Sequence, residues 1–151
     1  MKRKLAYAFA TCGVGLFPKA PGTCGSAFAA VIAYLYPSFF FLFCLLAISV
    51  FAGIPAIKIL TKKTSDKDPG FIVIDEVAGQ TLTYLIFMLF YSHLPFWAIL
   101  FGFLFFRFFD ITKVWPACFF DRRHTPANVM WDDLVAGGYA GLLLSVSFLL
   151  F

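Results

Sequence analysis

Five apolar runs dominate this chain: 26–36, 39–60, 77–91, 96–109 and 134–151. They leave little polar sequence from which a water-facing surface could be built. Of the 151 residues, 62% are hydrophobic and 13% charged, against about 45–50% and about 25% in soluble domains. A domain of this length has no core large enough to hide so much apolar side chain. The bilayer must hide it. The fold class expected is all-α: a polytopic membrane helical bundle of about five membrane segments, occupying residues 1–151 as one domain. Crossing the hydrocarbon takes about 20 helical residues, so several runs are short. The first, Ser26–Tyr36, is short enough to be re-entrant.

Charge placement tests the topology. If all five runs cross, residues 1–25, 61–76 and 110–133 share one face. The other receives only "YPS" at 36–38, "SHLP" at 92–95 and Phe151. Every Lys, Arg, Asp and Glu then lies on one face or within about a turn of it, Lys58 and Arg107 included. The excess of Lys and Arg makes that face cytoplasmic. A re-entrant first run would instead put Lys2, Arg3, Lys4 and Lys19 across the membrane from Lys62, Lys63 and Lys67, so five crossings are expected. The apolar stretch from Leu5 is broken by Gly13, Gly15 and Pro18, which does not suit a cleavable signal peptide. Lys2, Arg3 and Lys4 read as a cytoplasmic anchor. Cys12, Cys24, Cys44 and Cys118 form no metal or redox spacing, and Cys44 reads as a small buried apolar residue. No nucleic-acid partner is expected, and no spacing fixes an oligomeric state.

Two stretches echo each other: "IDEVAG" at 74–79 and "WDDLVAG" at 131–137. Each is an acid doublet followed by small and apolar residues. Helix capping is the plain reading, with Asp132 and Asp133 preceding an apolar helix and Asp75 and Glu76 doing likewise. The topology, however, brings Asp110 and Asp121 to the same face, so six of the eight acids converge there. The other two, Asp66 and Asp68, fall in "TKKTSDKDPG" and read as a solvated linker. Carboxylates crowded near hydrocarbon repel one another unless a cation intervenes. An all-oxygen donor set suits Mg²⁺, with Mn²⁺ as the alternative. Only His124 lies near the acids, His93 being on the far face, so zinc is not expected.

Basic groups share that face. Arg107, Asp110 and Lys113 are spaced i, i+3, i+6, a stripe that either pairs internally or faces a ligand. Arg122 and Arg123 follow Asp121. "FPKAPGTCGS" at 17–26 places Lys19, Thr23 and Ser26 around a helix start, where backbone N–H groups attract anions. A metal ion, cations and N–H donors together describe a phosphate site. Ala78-Gly79 and Ala136-Gly137-Gly138, with Gly137 and Gly141 in G-x-x-x-G spacing, permit close helix packing in lipid and would draw the doublets together. No Cys is followed six positions later by Arg, and neither D-x-D-x-T nor "PSGH" occurs. A metal-activated water or, second, a carboxylate nucleophile remains.

Five segments in order carry a resemblance: "GVGLFPKAPGTCGS" at 13–26, "IVIDEVAGQ" at 72–80, "RFFDITKVWP" at 107–116, "FFDR" at 119–122 and "MWDDLVAGGYA" at 130–140. With them the chain resembles the phosphatidylglycerophosphatase A family of bacterial inner-membrane lipid phosphatases. The resemblance implies Mg²⁺-dependent hydrolysis of phosphatidylglycerophosphate to phosphatidylglycerol and phosphate, in phospholipid biosynthesis, at the cytoplasmic face. Carried over by position, it implies metal ligands among Asp75, Glu76, Asp110, Asp121, Asp132 and Asp133. Glu76 is then a ligand or general base, with Asp75 and Asp133 beside it in catalysis. Lys19, Arg107, Lys113 and Arg122 would neutralise the phosphate and Thr23 would donate a hydrogen bond. One departure stands out. Where the family usually carries a Gly-rich turn, this chain has "RHTPANVMW" at 123–131. Val114 also stands where Pro is common.

Two rival readings make different demands. A small transporter or channel needs polar groups near mid-bilayer or on both faces. A non-catalytic assembly protein, its acids pairing with Arg and Lys, binds no divalent ion.

Overall fold

The computed structural model describes residues 2–62, 69–121 and 125–149, the side chain of Asp121 excepted. Among them are seven α-helices, one 3-10 turn at Val14–Leu16 and no strand. The helices are α1 (Arg3–Thr11), α2 (Pro21–Leu35), α3 (Phe39–Thr61), α4 (Ile74–Phe90), α5 (Phe96–Thr112), α6 (Ala117–Asp121) and α7 (Pro126–Leu149). Each apolar run becomes one of the five long helices. Two of these, α3 and α7, are long and apolar enough to cross a membrane. The others have 15 or 17 residues, about 22–26 Å at 1.5 Å per residue. That is short of the hydrocarbon thickness of about 30 Å.

Local signals set the ends. Pro21 opens α2, where its missing N–H costs nothing. Ser38 caps α3, accepting the Phe41 N–H at 3.5 Å. The glycine-poor segment before α7 is a helix start rather than a flexible turn. Thr125 Oγ1 accepts the Asn128 N–H at 3.2 Å, its carbonyl accepts the Val129 N–H at 3.0 Å, and Pro126 is the first helical residue. This start lies eight residues before Leu134, where the apolar run begins, so α7 has no acid in its first turn. Asp132 and Asp133 sit nearly two turns in and cannot cap it, which removes the capping reading for that doublet.

α1 is a helix that the broken N-terminal apolar stretch does not announce. It buries Ala6, Ala10 and Thr11, leaves Lys2, Arg3 and Lys4 exposed, and gives its Ala10 carbonyl to the Val73 N–H at 2.9 Å. Cys44 is half-buried on α3, not buried as its surroundings suggest. The loop holding Asp66 and Asp68 falls outside the described residues.

The core helix is α4, which packs against α2, α3, α5 and α7. Val77, Ala78, Gly79, Gln80 and Thr81 are consecutive and all buried, as a helix surrounded on every side requires. Apolar side chains cover the bundle's outside: Phe40, Phe51, Leu89, Phe90, Trp97 and Ile111 are exposed. α4 and α7 meet backbone to backbone. A Cβ on Gly137 would strike the Gly79 carbonyl, and one on Gly79 would strike the Asp133 carbonyl. Thr83 Oγ1 adds a hydrogen bond across the seam to the Gly137 carbonyl at 3.3 Å.

The seam yields a paired prediction. Gly137→Ala forces these backbones apart and is expected to destabilise the solubilised protein by about 1–3 kcal/mol. Gly138→Ala, with nothing within 4 Å of the added Cβ, gains helix propensity and stabilises by up to about 1 kcal/mol. Denaturant unfolding in detergent reads the difference.

Candidate active site

Four long helices bring one terminus each to a common end of the bundle. α2 and α4 start there, α5 finishes there, and α7 passes through in its second turn. Asp75 and Glu76 occupy the first turn of α4. Their carboxylates and that of Asp133 on α7 each offer an oxygen within 4.8 Å of the others. Asp75, Asp110, Asp132 and Asp133 are all buried and Glu76 is half-buried. The Gly79–Gly137 contact causes this convergence, since Asp75 and Asp133 stand four residues ahead of those glycines on their respective helices.

The α5 terminus supplies cations. Arg107 Nη1 donates to Asp110 Oδ2 at 2.5 Å. Lys113 does not continue the helical stripe. It closes α5 in the left-handed conformation, φ 47°, and this turns its ammonium toward α7. Nζ lies 3.2 Å from Asp110 Oδ1, 2.5 Å from Asp132 Oδ2 and 3.7 Å from Asp133 Oδ1. Burial works against the Lys113 charge, but Asp133, Asp132 and Asp110 outweigh it and push the ammonium pKa up. Arg107 and Lys113 thus pair internally with Asp110, and Lys113 also reaches across to a second helix. Tyr139 steadies the following turn, donating to the Trp115 carbonyl at 3.0 Å.

The start of α2 closes the third side. A Cβ on Gly22 would land on Glu76 Oε1, with Arg107 Nη1 3.5 Å away, so a side chain there would push the Glu76 carboxylate out of place. Ser26 is buried. Its hydroxyl donates to the Gly22 carbonyl at 2.8 Å and accepts from Arg107 Nη1 at 3.4 Å. The first turn of α2 carries no side-chain cap, and Thr23 stands half-buried in it. Lys19 is exposed in the preceding turn, outside the described ion-pair network. Asp121 ends α6 with its side chain outside the described residues, as is all of Arg122. His93 is exposed in the turn at the opposite end, as the topology requires.

For two participants the motifs give no specific role. Ser26 reads as part of the helix start with Lys19 and Thr23, and the fold adds that it sits under Arg107. Gln80, the last residue of "IVIDEVAGQ", is fully buried one turn after Glu76, and it is the chain's only glutamine, as Glu76 is its only glutamate. That rarity is the signal available in the sequence.

The family model for phosphatidylglycerophosphatase A matches residues 8–148, nearly the whole chain and every site residue above. The chain belongs to the phosphatidylglycerophosphatase A family. It is 36% identical over 133 residues to the Escherichia coli phosphatidylglycerophosphatase A, covering 83% of this chain and 72% of that one. The Haemophilus influenzae phosphatidylglycerophosphatase A is 32% identical over 142 residues, 87% and 81% of the two chains. A Bacteroides thetaiotaomicron protein named as a candidate phosphatidylinositol-3-phosphatase is 32% identical over 147 residues, 89% and 87%. No solved structure matches significantly. Membership in the phosphatidylglycerophosphatase A family makes this chain a phosphatase.

Lys113 gives the site its sharpest stability test. Lys113→Met leaves three carboxylates facing one another without their shared cation, and it is expected to cost about 1–3 kcal/mol, between the values for exposed and fully buried pairs. Adding Asp132→Asn recovers part of the loss. A double-mutant cycle by denaturant unfolding reads that coupling.

Proposed function

We propose that this chain hydrolyses phosphatidylglycerophosphate to phosphatidylglycerol and phosphate for phospholipid biosynthesis, using Mg²⁺. In this reading all five long helices cross the bacterial inner membrane and the site opens to the cytoplasm. The observation that carries the proposal is the meeting of Asp75, Glu76 and Asp133 within 4.8 Å, beside Arg107 and the uncapped start of α2. Among the described residues five carboxylates share this end with two cations, Arg107 and Lys113. Such an excess of buried negative charge, offered entirely as oxygen, fits a hard divalent ion. Asp75, Glu76 and Asp133 would hold it, with Asp110 and Asp132 supporting from the Lys113 side and Asp121 available from α6. When bound, such an ion acidifies a water and offsets charge on phosphoryl oxygens.

The protein's own groups do the rest. The reaction forms a P–O bond to the water oxygen and breaks the P–O bond to the glycerol oxygen, which takes up a proton. Glu76 Oε1 faces the first turn of α2, where it serves either as a ligand of the ion or as the acceptor for the water's proton. Arg107, the Gly22 and Thr23 N–H groups and the Thr23 hydroxyl are aimed at a phosphate there. Lys19 and Arg122 add positive charge, and Lys113 keeps Asp132 and Asp133 in place. The headgroup would reach this end from the interface while its acyl chains stay in the bilayer.

Phosphate release by detergent-solubilised protein is the test. Release from phosphatidylglycerophosphate should stop with EDTA and return with Mg²⁺ or Mn²⁺, and phosphatidylinositol 3-phosphate should be the slower substrate. Asp133→Asn should lower turnover at least about 100-fold. Wild-type turnover in that variant at saturating Mg²⁺ would remove Asp133 from the site.

A further inference from the structure

Glu76, Gln80 and Tyr84 stand at i, i+4 and i+8 on α4 and so share one face, with neighbouring Cβ atoms about 5–6 Å apart. Both ends of this face look at α5. Tyr84 donates its hydroxyl to the Ile99 carbonyl at 2.8 Å and packs on Gly102. Glu76 and Arg107 meet at Gly22. Gln80 lies between, 0% exposed, yet neither Oε1 nor Nε2 has a hydrogen-bond partner among the described residues. Glu76 Oε2 and Arg107 Nε are buried without partners in the same way. Leaving such groups unpaired costs about 1–3 kcal/mol each, a cost that a methionine of similar shape would avoid at position 80.

The unmet groups are complementary. Two are donors, Gln80 Nε2 and Arg107 Nε, and two are acceptors, Gln80 Oε1 and Glu76 Oε2. A water molecule accepts two hydrogen bonds and donates two, and buried waters usually make about three. Gln80 is also sealed from the surface, so a phosphate cannot reach it from the interface.

We propose that one ordered water fills this seam between α4 and α5, and that Gln80 is a positioning residue acting through it. The water ties Glu76 Oε2 inward, which keeps Oε1 turned to the first turn of α2. The catalytic consequence rests on the phosphatase reading of Glu76, whereas the water itself does not.

Because Gln80 is the only glutamine, ¹⁵N-labelling of glutamine side chains gives a single amide pair. Solid-state NMR in bilayers should detect magnetisation transfer from a slowly exchanging water to that pair. Gln80→Met should lower kcat about 10-fold, leave KM for the lipid within about twofold, and leave the unfolding temperature unchanged or raised. No water transfer to the Gln80 amide overturns the proposal, as does wild-type kcat in Gln80→Met. A kcat loss accompanied by a lower unfolding temperature makes Gln80 a packing residue and overturns its positioning role. If the unmodified protein released no phosphate, the phosphatase reading would fail, and the water transfer alone would decide the seam.

Discussion

The contact between Gly79 on α4 and Gly137 on α7 is the constraint on which the site depends. In lipid, helices gain no hydrophobic drive toward each other, so close packing at small residues has to supply the attraction. Here the approach is close enough that either glycine, given a Cβ, would collide with the other helix's backbone. Asp75 and Asp133 each stand four residues, about one turn, before their glycines, with Glu76 three before Gly79. Holding the glycines together therefore holds Asp75, Glu76 and Asp133 together. The packing is the cause, and the carboxylate cluster is its consequence.

That consequence is electrostatically expensive. Carboxylates near hydrocarbon interact through a low dielectric and repel strongly. The chain offsets part of the repulsion with Lys113, swung across by a left-handed helix end to reach Asp110, Asp132 and Asp133. Arg107 is occupied by Asp110 and Ser26. Asp75 and Glu76 lie on the side where the first turn of α2 comes down on Glu76. Cations lie on one flank and an uncapped helix start on the other, and the proposed function puts a divalent ion and a phosphate between them.

Much of this was legible in the sequence because apolar helices are read from long-range composition. The five apolar runs coincide with α2, α3, α4, α5 and α7, and the acids that the sequence grouped, Asp75, Glu76, Asp110, Asp132 and Asp133, do meet at one end of the bundle. The doublets and their glycines pointed to one another through the small-residue spacing. Helix ends were less legible. α7 reaches back through Trp131 and Asn128 to Pro126, a stretch that hydropathy reads as loop, so Asp132 and Asp133 looked like caps and are interior residues. α1 is too short, with charge at its start and glycines just after its end, to register as an apolar run, although its alanines pack tightly. Gln80 shows no pattern at all. Its importance comes from being buried beside unmet donors and acceptors, which only the packed bundle defines. Lys19 is the reverse case, a motif residue that the described fold leaves exposed.

The central claim is that α4 and α7 jointly build one divalent-ion site from Asp75, Glu76 and Asp133. Electron paramagnetic resonance of Mn²⁺ titrated into the solubilised protein reads this without substrate. Tight binding that is lost both in Asp75→Asn on α4 and in Asp133→Asn on α7, with each variant still folded, is the predicted result. Mn²⁺ held equally well by wild type and both variants would contradict it.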